Sequence, residues 1–142
     1  PKGLVIYNPV ESCFRPLPDI IVENDFAFFG RMDAEKGVAT LLKALTICKQ
    51  RNKNYTLDLY GKGPYLLEWQ QLAETLGIAS QLRWYPFLRG EELVTAMNAA
   101  GVVVMPSQWA EPMGLVAAEA MACGKAVIGS RQGGLGEVLE GY

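Results

Sequence analysis

Glu111 and Glu119 stand eight positions apart in the segment Glu111-Pro112-Met113-Gly114-Leu115-Val116-Ala117-Ala118-Glu119, two carboxylates placed around a proline and a glycine. The segment follows the apolar run Val102 to Met105 and the loop Pro106-Ser107-Gln108-Trp109, and it opens an Ala-rich helical pattern. It therefore reads as a strand, a loop and a helix start. A helix N-terminus offers unpaired N–H groups and the positive end of a dipole, which suits an anion such as a diphosphate. Glu119 falls about one and a half turns inside that helix and Glu111 just ahead of it, a span of roughly 12 Å at ~1.5 Å per residue if fully helical. Either acid can be read blandly, as a charge favourable to the dipole or on a solvated helical face. Against that, Glu119 sits between Ala118 and Ala120 with Met121 following, too apolar a stretch for a freely solvated face. A carboxylate there is expected to hold specific hydrogen bonds, for which a pair of ribose hydroxyls is suited.

Cations stand upstream. Gly30-Arg31-Met32-Asp33-Ala34-Glu35-Lys36-Gly37 follows an apolar run and precedes a helical pattern. Gly30 would let a ligand approach the backbone, and Arg31 and Lys36 supply the two positive charges a diphosphate needs. The plain alternative is a solvated loop in which Lys36 pairs with Asp33 or Glu35. Gly61-Lys62-Gly63 closes the next strand; it is either a tight turn using glycine for geometry or a lining of the same pocket. Trp109 could stack on a sugar or base, although packing is the favoured reading. Gly133-Gly134 would permit close backbone approach to a ligand, while Glu137 and Glu140 are equally read as the polar face of a short helix.

The elements that must position these groups follow from hydrophobic pattern. Phe26–Phe29, Thr56–Tyr60, Val102–Met105 and Ala126–Ile128 carry the bias of buried parallel strands, and Leu82–Tyr85 is a weaker one. Val38, Leu41, Leu42, Leu45 and Cys48 repeat at helical spacing, as do Tyr65, Trp69, Leu72, Ala73 and Leu76, with Gly77 as a stop. Leu93, Val94 and Met97 mark a shorter helix and Gly114 to Cys123 another. Alternating strands and helices predict an α/β, Rossmann-like, doubly wound parallel sheet with helices on both faces, whose ligands bind beyond the C-terminal strand ends. Residues 1–24, with a Leu4 to Tyr7 strand and Pro9, Pro16 and Pro18, read as a linker into the domain at 25–142.

Composition bounds the chemistry. The 142 residues are 50% hydrophobic and 20% charged, enough for one domain with a real core. A net charge of −2 gives no overall basic field, so nucleic acid is not an expected partner and an anion site must be made locally. The three dispersed cysteines, Cys13, Cys48 and Cys123, read as reduced core thiols of a cytosol-like compartment. With no histidine, the chain has no imidazole for general-base or metal chemistry. No signal peptide or membrane span is read from it, and its start at Pro1-Lys2-Gly3 suggests a piece of a longer protein.

Arg31, Lys36, the Gly61-Lys62-Gly63 turn, Pro106-Ser107, Glu111-Pro112-Met113-Gly114-Leu115, Glu119-Ala120-Met121-Ala122-Cys123-Gly124-Lys125 and Gly133-Gly134 with Glu137 occur in one order at compatible spacings. Together they resemble the C-terminal, donor-binding domain of a GT-B glycosyltransferase of the family 4 type. Tyr7-Asn8-Pro9-Val10 with Phe14 resembles the segment leading out of the interdomain linker of such enzymes.

The resemblance implies transfer of a hexose from a nucleoside-diphosphate sugar, a UDP-sugar before a GDP-sugar, to a sugar or lipid-linked acceptor, with retention and without a metal or other cofactor. It makes Arg31 and Lys36 the diphosphate clamp, Glu119 the ribose ligand and Glu111 the catalytic residue at the transferred sugar. Backbone N–H groups of Met113, Gly114, Leu115 and Val116 would cover sugar and phosphates, Gly30 and the Gly61-Lys62-Gly63 turn would line the site, and Pro86 and Phe87 would wall the base. It implies a further N-terminal acceptor domain, a cytoplasmic setting and, through that other part, peripheral membrane association. The fragment alone would bind donor without transferring sugar. Tyr85-Pro86-Phe87 departs from the family, which places a glycine just after this strand. The alternative is a non-catalytic nucleotide-binding or protein-interaction module on the same fold. A nicotinamide dehydrogenase fits poorly, since no Gly-x-Gly-x-x-Gly follows the first strand.

Overall fold

The computed structural model describes residues 8–140. Five parallel strands, β1 (Asn24–Phe29), β2 (Leu57–Tyr60), β3 (Leu82–Tyr85), β4 (Ala100–Met105) and β5 (Ala126–Gly129), form one sheet in the order β3-β2-β1-β4-β5. They alternate with α1 (Val38–Gln50), α2 (Leu66–Thr75), α3 (Gly90–Ala99), α4 (Leu115–Ala122) and α5 (Gly133–Glu140). Parallel neighbours need crossover connections, and the helices provide them on both faces.

The two-residue period of a strand sorts side chains between two cores. Ala27 and Phe29 of β1 face a cluster with Val94 and Met97 of α3, Ala117 and Ala120 of α4, and Leu135 of α5. Phe28 faces the opposite cluster, made with Val38, Leu42 and Leu45 of α1 and Trp69 and Ala73 of α2. The strand runs expected from sequence are all present, as are the four helices read from spacing and the short one carrying Glu137 and Glu140. The expected Leu4 to Tyr7 strand lies outside the described residues.

The lead-in segment is more than a linker. Phe14 is buried in the first core. Asn98, on the buried face of α3, accepts from the Leu17 N–H at 2.7 Å and donates to the Arg15 carbonyl at 3.1 Å and the Val94 carbonyl at 2.9 Å. β1 itself begins at Asn24, which pairs with Ala100 of β4.

A buried polar group ties β1, β2 and β3 beneath the site. Asp58, only 1% exposed, accepts both Nε and Nη2 of Arg83, at 2.6 and 3.0 Å, together with Asn24 Nδ2 at 3.0 Å and the Tyr60 hydroxyl at 3.3 Å. Bidentate pairing and the further hydrogen bonds offset the cost of burying a carboxylate inside a sheet. Burial, followed by the Asp58 charge, pushes the Tyr60 phenol well above its ordinary value.

Candidate functional site

Strand order reverses between β1 and β4, since the chain goes outward from β1 through β2 to β3 and returns to β4 on the other side. Such a switch point leaves a crevice at the C-terminal strand ends. Here the loop after β1 is stitched to the loop after β4. The Gln108 N–H donates to the Glu35 carbonyl at 2.7 Å, and Gln108 Nε2 donates to Thr40 Oγ1 at 2.6 Å. Gly37, at φ +74°, lies so close to Pro106 that an added Cβ would come within 1.9 Å of its carbonyl oxygen. No side chain fits there, so the two loops are held backbone to backbone.

Across that seam Lys36 meets Glu111. Lys36 Nζ donates to Glu111 Oε1 at 2.6 Å, and Ser107 Oγ donates to the same oxygen at 2.6 Å. Burial alone would raise the Glu111 carboxyl, but hydrogen bonds from Lys36 and Ser107 and the Lys36 charge outweigh it and hold the group below its ordinary value. Lys36 also lies over the Trp109 ring, 5.3 Å from its centroid, so Trp109 is half-exposed cover for the ion pair rather than a core anchor. Arg31 Nε pairs with Asp33 at 2.8 Å with a side chain 72% exposed. The loop-internal partners considered for Lys36 are thus replaced: Asp33 serves Arg31, and Lys36 reaches an acid 75 positions away.

A cavity of about 250 Å³ opens on Arg31, Lys36, Ser107 and Glu111, with Gly114, Leu115 and Val116 opposite. Gly114 takes φ +70° and abuts Leu135, where a Cβ would sit 2.8 Å from Cδ1. The N–H groups of Ala117 and Ala118 already reach back to the Gly114 carbonyl, so those of Leu115 and Val116 are the donors α4 presents at its start. Positive helix end, two cations and one cavity favour an anion.

A second cavity of about 350 Å³ shares Phe29, Gly30, Phe87, Leu115 and Val116 with the first and continues to Glu119, Glu11 and Arg89. Glu119, the fifth residue of α4, lines this space. Burial, with a smaller contribution from the charge of Glu11, raises its carboxyl from 4.5 to about 7. The two acids of one sequence segment therefore line adjoining cavities with opposite electrostatics.

Other expected site residues are placed less directly. Gly61 and Gly63 serve close packing, since a Cβ would come within 1.8 Å of the Gly30 carbonyl oxygen and 2.5 Å of the Met32 carbonyl oxygen respectively. With Lys62 they border hollows beside the main cavities; Pro86 borders one of these, and Phe87 borders these and both main cavities. Met113 lines neither main cavity; its backbone packs against Gly134. Gly133 and Gly134 approach their own chain rather than leaving room for a ligand: added Cβ atoms would lie 2.5 Å from the Glu111 carbonyl oxygen and 2.2 Å from that of Pro112. They clamp the Glu111 loop, with the Gly134 N–H donating to the Glu111 carbonyl at 2.7 Å. Sequence reasoning assigned no role to Ser107 as a ligand of Glu111, to Gln108 as a stitch, or to Arg89. Only the Pro106-Ser107 pair carried a signal.

The chain matches the family model for glycosyl transferases group 1 over residues 21–142. It is 36% identical over 106 residues to the uncharacterized glycosyltransferase YqgM of Bacillus subtilis (strain 168), covering 75% of this chain and 29% of YqgM. The chain thus spans under a third of that relative's length. Among solved structures it resembles Anabaena Alr3699/HepE in complex with UDP and glucose, with a TM-score of 0.72 and 30% identity over 81% of this chain and 32% of that one. It also resembles the C-terminal domain of the glycosyl transferase group 1 family protein LpcC of Francisella tularensis, with a TM-score of 0.75 and 25% identity over 89% of this chain and 72% of that one. The Rossmann-like sheet, the switch-point crevice with its two cations and two acids, and these likenesses agree: the chain belongs to the glycosyl transferases group 1 family, in the part that forms the C-terminal domain of a GT-B enzyme.

Proposed function

We propose that this domain holds the nucleoside-diphosphate sugar of a retaining hexosyltransferase, a UDP-sugar in preference to a GDP-sugar, for transfer to a sugar or lipid-linked acceptor carried by a further N-terminal domain. The observation that carries this reading is the continuity of the two cavities through Gly30, Leu115 and Val116, with Lys36 and Arg31 at one end and Glu119 at the other. A diphosphate laid at the start of α4 meets two cations and the free N–H groups of Leu115 and Val116. Its ribose then falls beside Glu119, whose carboxylate makes no ion pair among the described residues and gains hydrogen bonds from two hydroxyls.

Glu111 is the catalytic residue of the proposal, at the transferred hexose. Its carboxylate already accepts from Lys36 and Ser107 at Oε1 and is further held by Trp109, and its remaining lone pairs are the ones offered to a sugar hydroxyl. As the sugar–phosphate bond breaks, negative charge grows on the leaving diphosphate. Arg31, Lys36 and the α4 dipole are placed to stabilise it, a role that calls for no metal or cofactor. The UDP bound to HepE supports uridine as the first donor to test. Among the described residues no helix is long and apolar enough to cross a membrane. The reading sets the domain in the cytoplasm, with any membrane contact made by another part of the full-length protein and with donor binding, not transfer, as the activity of this chain alone.

Calorimetric titration with UDP, GDP, ADP and their sugars tests the proposal. Saturable binding of a nucleoside diphosphate that is weakened by Lys36→Ala is the expected result. A folded domain that binds none of them overturns it.

A further inference from the structure

Arg89 stands at the N-cap of α3, outside every motif that identifies the family, and it borders the Glu119 cavity. Apart from its few polar groups that cavity is lined by apolar side chains, among them Phe29, Phe87, Leu88, Leu93 and Met97, which suit a planar ring. Its polar side chains are few, and most are committed. The Cys13 thiol turns to Glu11 at 3.8 Å, and the Tyr60 hydroxyl donates inward to Asp58 at 3.3 Å. Glu11 and Glu119 as carboxylates accept only. Among the described residues, Arg89 is therefore the lining side chain left to donate. Its guanidinium lies over the Phe87 ring, 5.3 Å from the centroid, and no ion pair among the described residues engages it. A guanidinium carries its N–H groups in its own plane at its periphery, so a contact with a ring leaves them able to donate.

We propose that Arg89 selects the nucleobase of the donor by donating to the carbonyl oxygen at uracil O4 or guanine O6, so that the site takes a keto base, uracil or guanine, over a base with an amino group at that position, cytosine or adenine. This rests on the donor-binding reading given above. Arginine has five donors and no acceptor. Uracil and guanine present a carbonyl oxygen where cytosine and adenine present an amino group, another donor. An amino base would put N–H against N–H and lose the contact without any change of shape. Uridine and cytidine are the cleanest pair, being nearly isosteric.

The test is calorimetric titration of the domain with UDP and CDP, then GDP and ADP, in wild type, Arg89→Ala and Arg89→Gln. The wild type is expected to bind UDP about tenfold more tightly than CDP, the low end for a charge-assisted hydrogen bond at an exposed side chain. Arg89→Ala is expected to bring that ratio to within about twofold. Arg89→Gln, whose amide both donates and accepts, is expected to do the same. The selectivity ratio is the readout because loss of a positive charge weakens every diphosphate alike. Equal wild-type affinities, or a ratio unchanged in Arg89→Ala, overturn the inference and leave the donor site standing. Failure of all four nucleotides to bind removes the donor-binding reading itself, and this inference with it.

Discussion

Glu111 and Glu119 come from one segment, yet the protein treats them oppositely. At the Glu111 end of the crevice every charge is answered: Lys36 and Ser107 donate to Oε1, and the carboxyl is held low. At the Glu119 end no ion pair among the described residues engages the carboxylate, Glu11 adds like charge, and, chiefly through burial, the carboxyl rises to about 7. The first is a finished ion network that fixes two loops before any ligand arrives. The second is an acceptor whose hydrogen-bonding capacity is left for a ligand. The difference teaches that equal residues in one motif are set to different tasks by what the rest of the fold brings to them, as expected for groups whose environments separate their pKa values.

The largest effect should come from breaking the finished end. Lys36→Met removes a phosphate cation and strands the Glu111 charge, so nucleoside diphosphate affinity is expected to fall by about 2 to 3 kcal/mol in calorimetry. An unchanged affinity would place the clamp elsewhere. Glu119→Ala should follow at about 1.5 to 2 kcal/mol, seen equally with UDP and a UDP-sugar because ribose is common to both. A loss confined to the UDP-sugar would reverse the roles of the two acids.

The open end should also show its raised carboxyl as a pH dependence. Ribose hydroxyls favour the ionised form, so wild-type affinity for a UDP-sugar, which lacks a terminal phosphate that titrates nearby, should be about tenfold weaker at pH 6 than at pH 8. Glu119→Gln should abolish the difference, and a retained slope would assign it to another group. Stability should move the other way. A folded-state carboxyl raised from 4.5 to about 7 favours the fold below its unfolded value, and that contribution is lost as pH rises through about 7. Glu111, held low, contributes stability above its unfolded value that is lost in acid. Urea unfolding of wild type and Glu119→Gln at pH 5 and pH 8 would read the first effect.

The smallest change on nucleotide alone is expected from Glu111→Gln. UDP affinity should shift by no more than about 0.5 kcal/mol, while the added affinity from an attached hexose is lost. Weakened UDP binding would place Glu111 at the phosphates rather than the sugar and blur the contrast between the two ends.

Much of this was legible in the chain itself, for physical reasons that differ by element. Parallel strands buried on both faces must be apolar throughout, so Phe26–Phe29 and Val102–Met105 announce themselves. Asp58 hides inside such a run because its partner Arg83 lies on another strand, and only the register of β2 and β3 joins them. Gly133 and Gly134 read as room for a ligand, whereas folding spends that room on the Glu111 loop. Lys36 has acids one and three positions away, Glu35 and Asp33, and its true partner Glu111 was invisible to local spacing.

By itself the sequence determined the alternation of strands and helices, the two cations Arg31 and Lys36 between the first strand and the next helix, and the two acids at fixed spacing, since periodicity and residue type are local properties. Only the tertiary structure decided which cation meets which acid, which glycines are spent on packing, and where Arg89 stands. Each depends on segments far apart in the chain meeting at the seam between β1 and β4 or at the mouth of the Glu119 cavity. Burial there, rather than residue type, sets the charge state of Glu119.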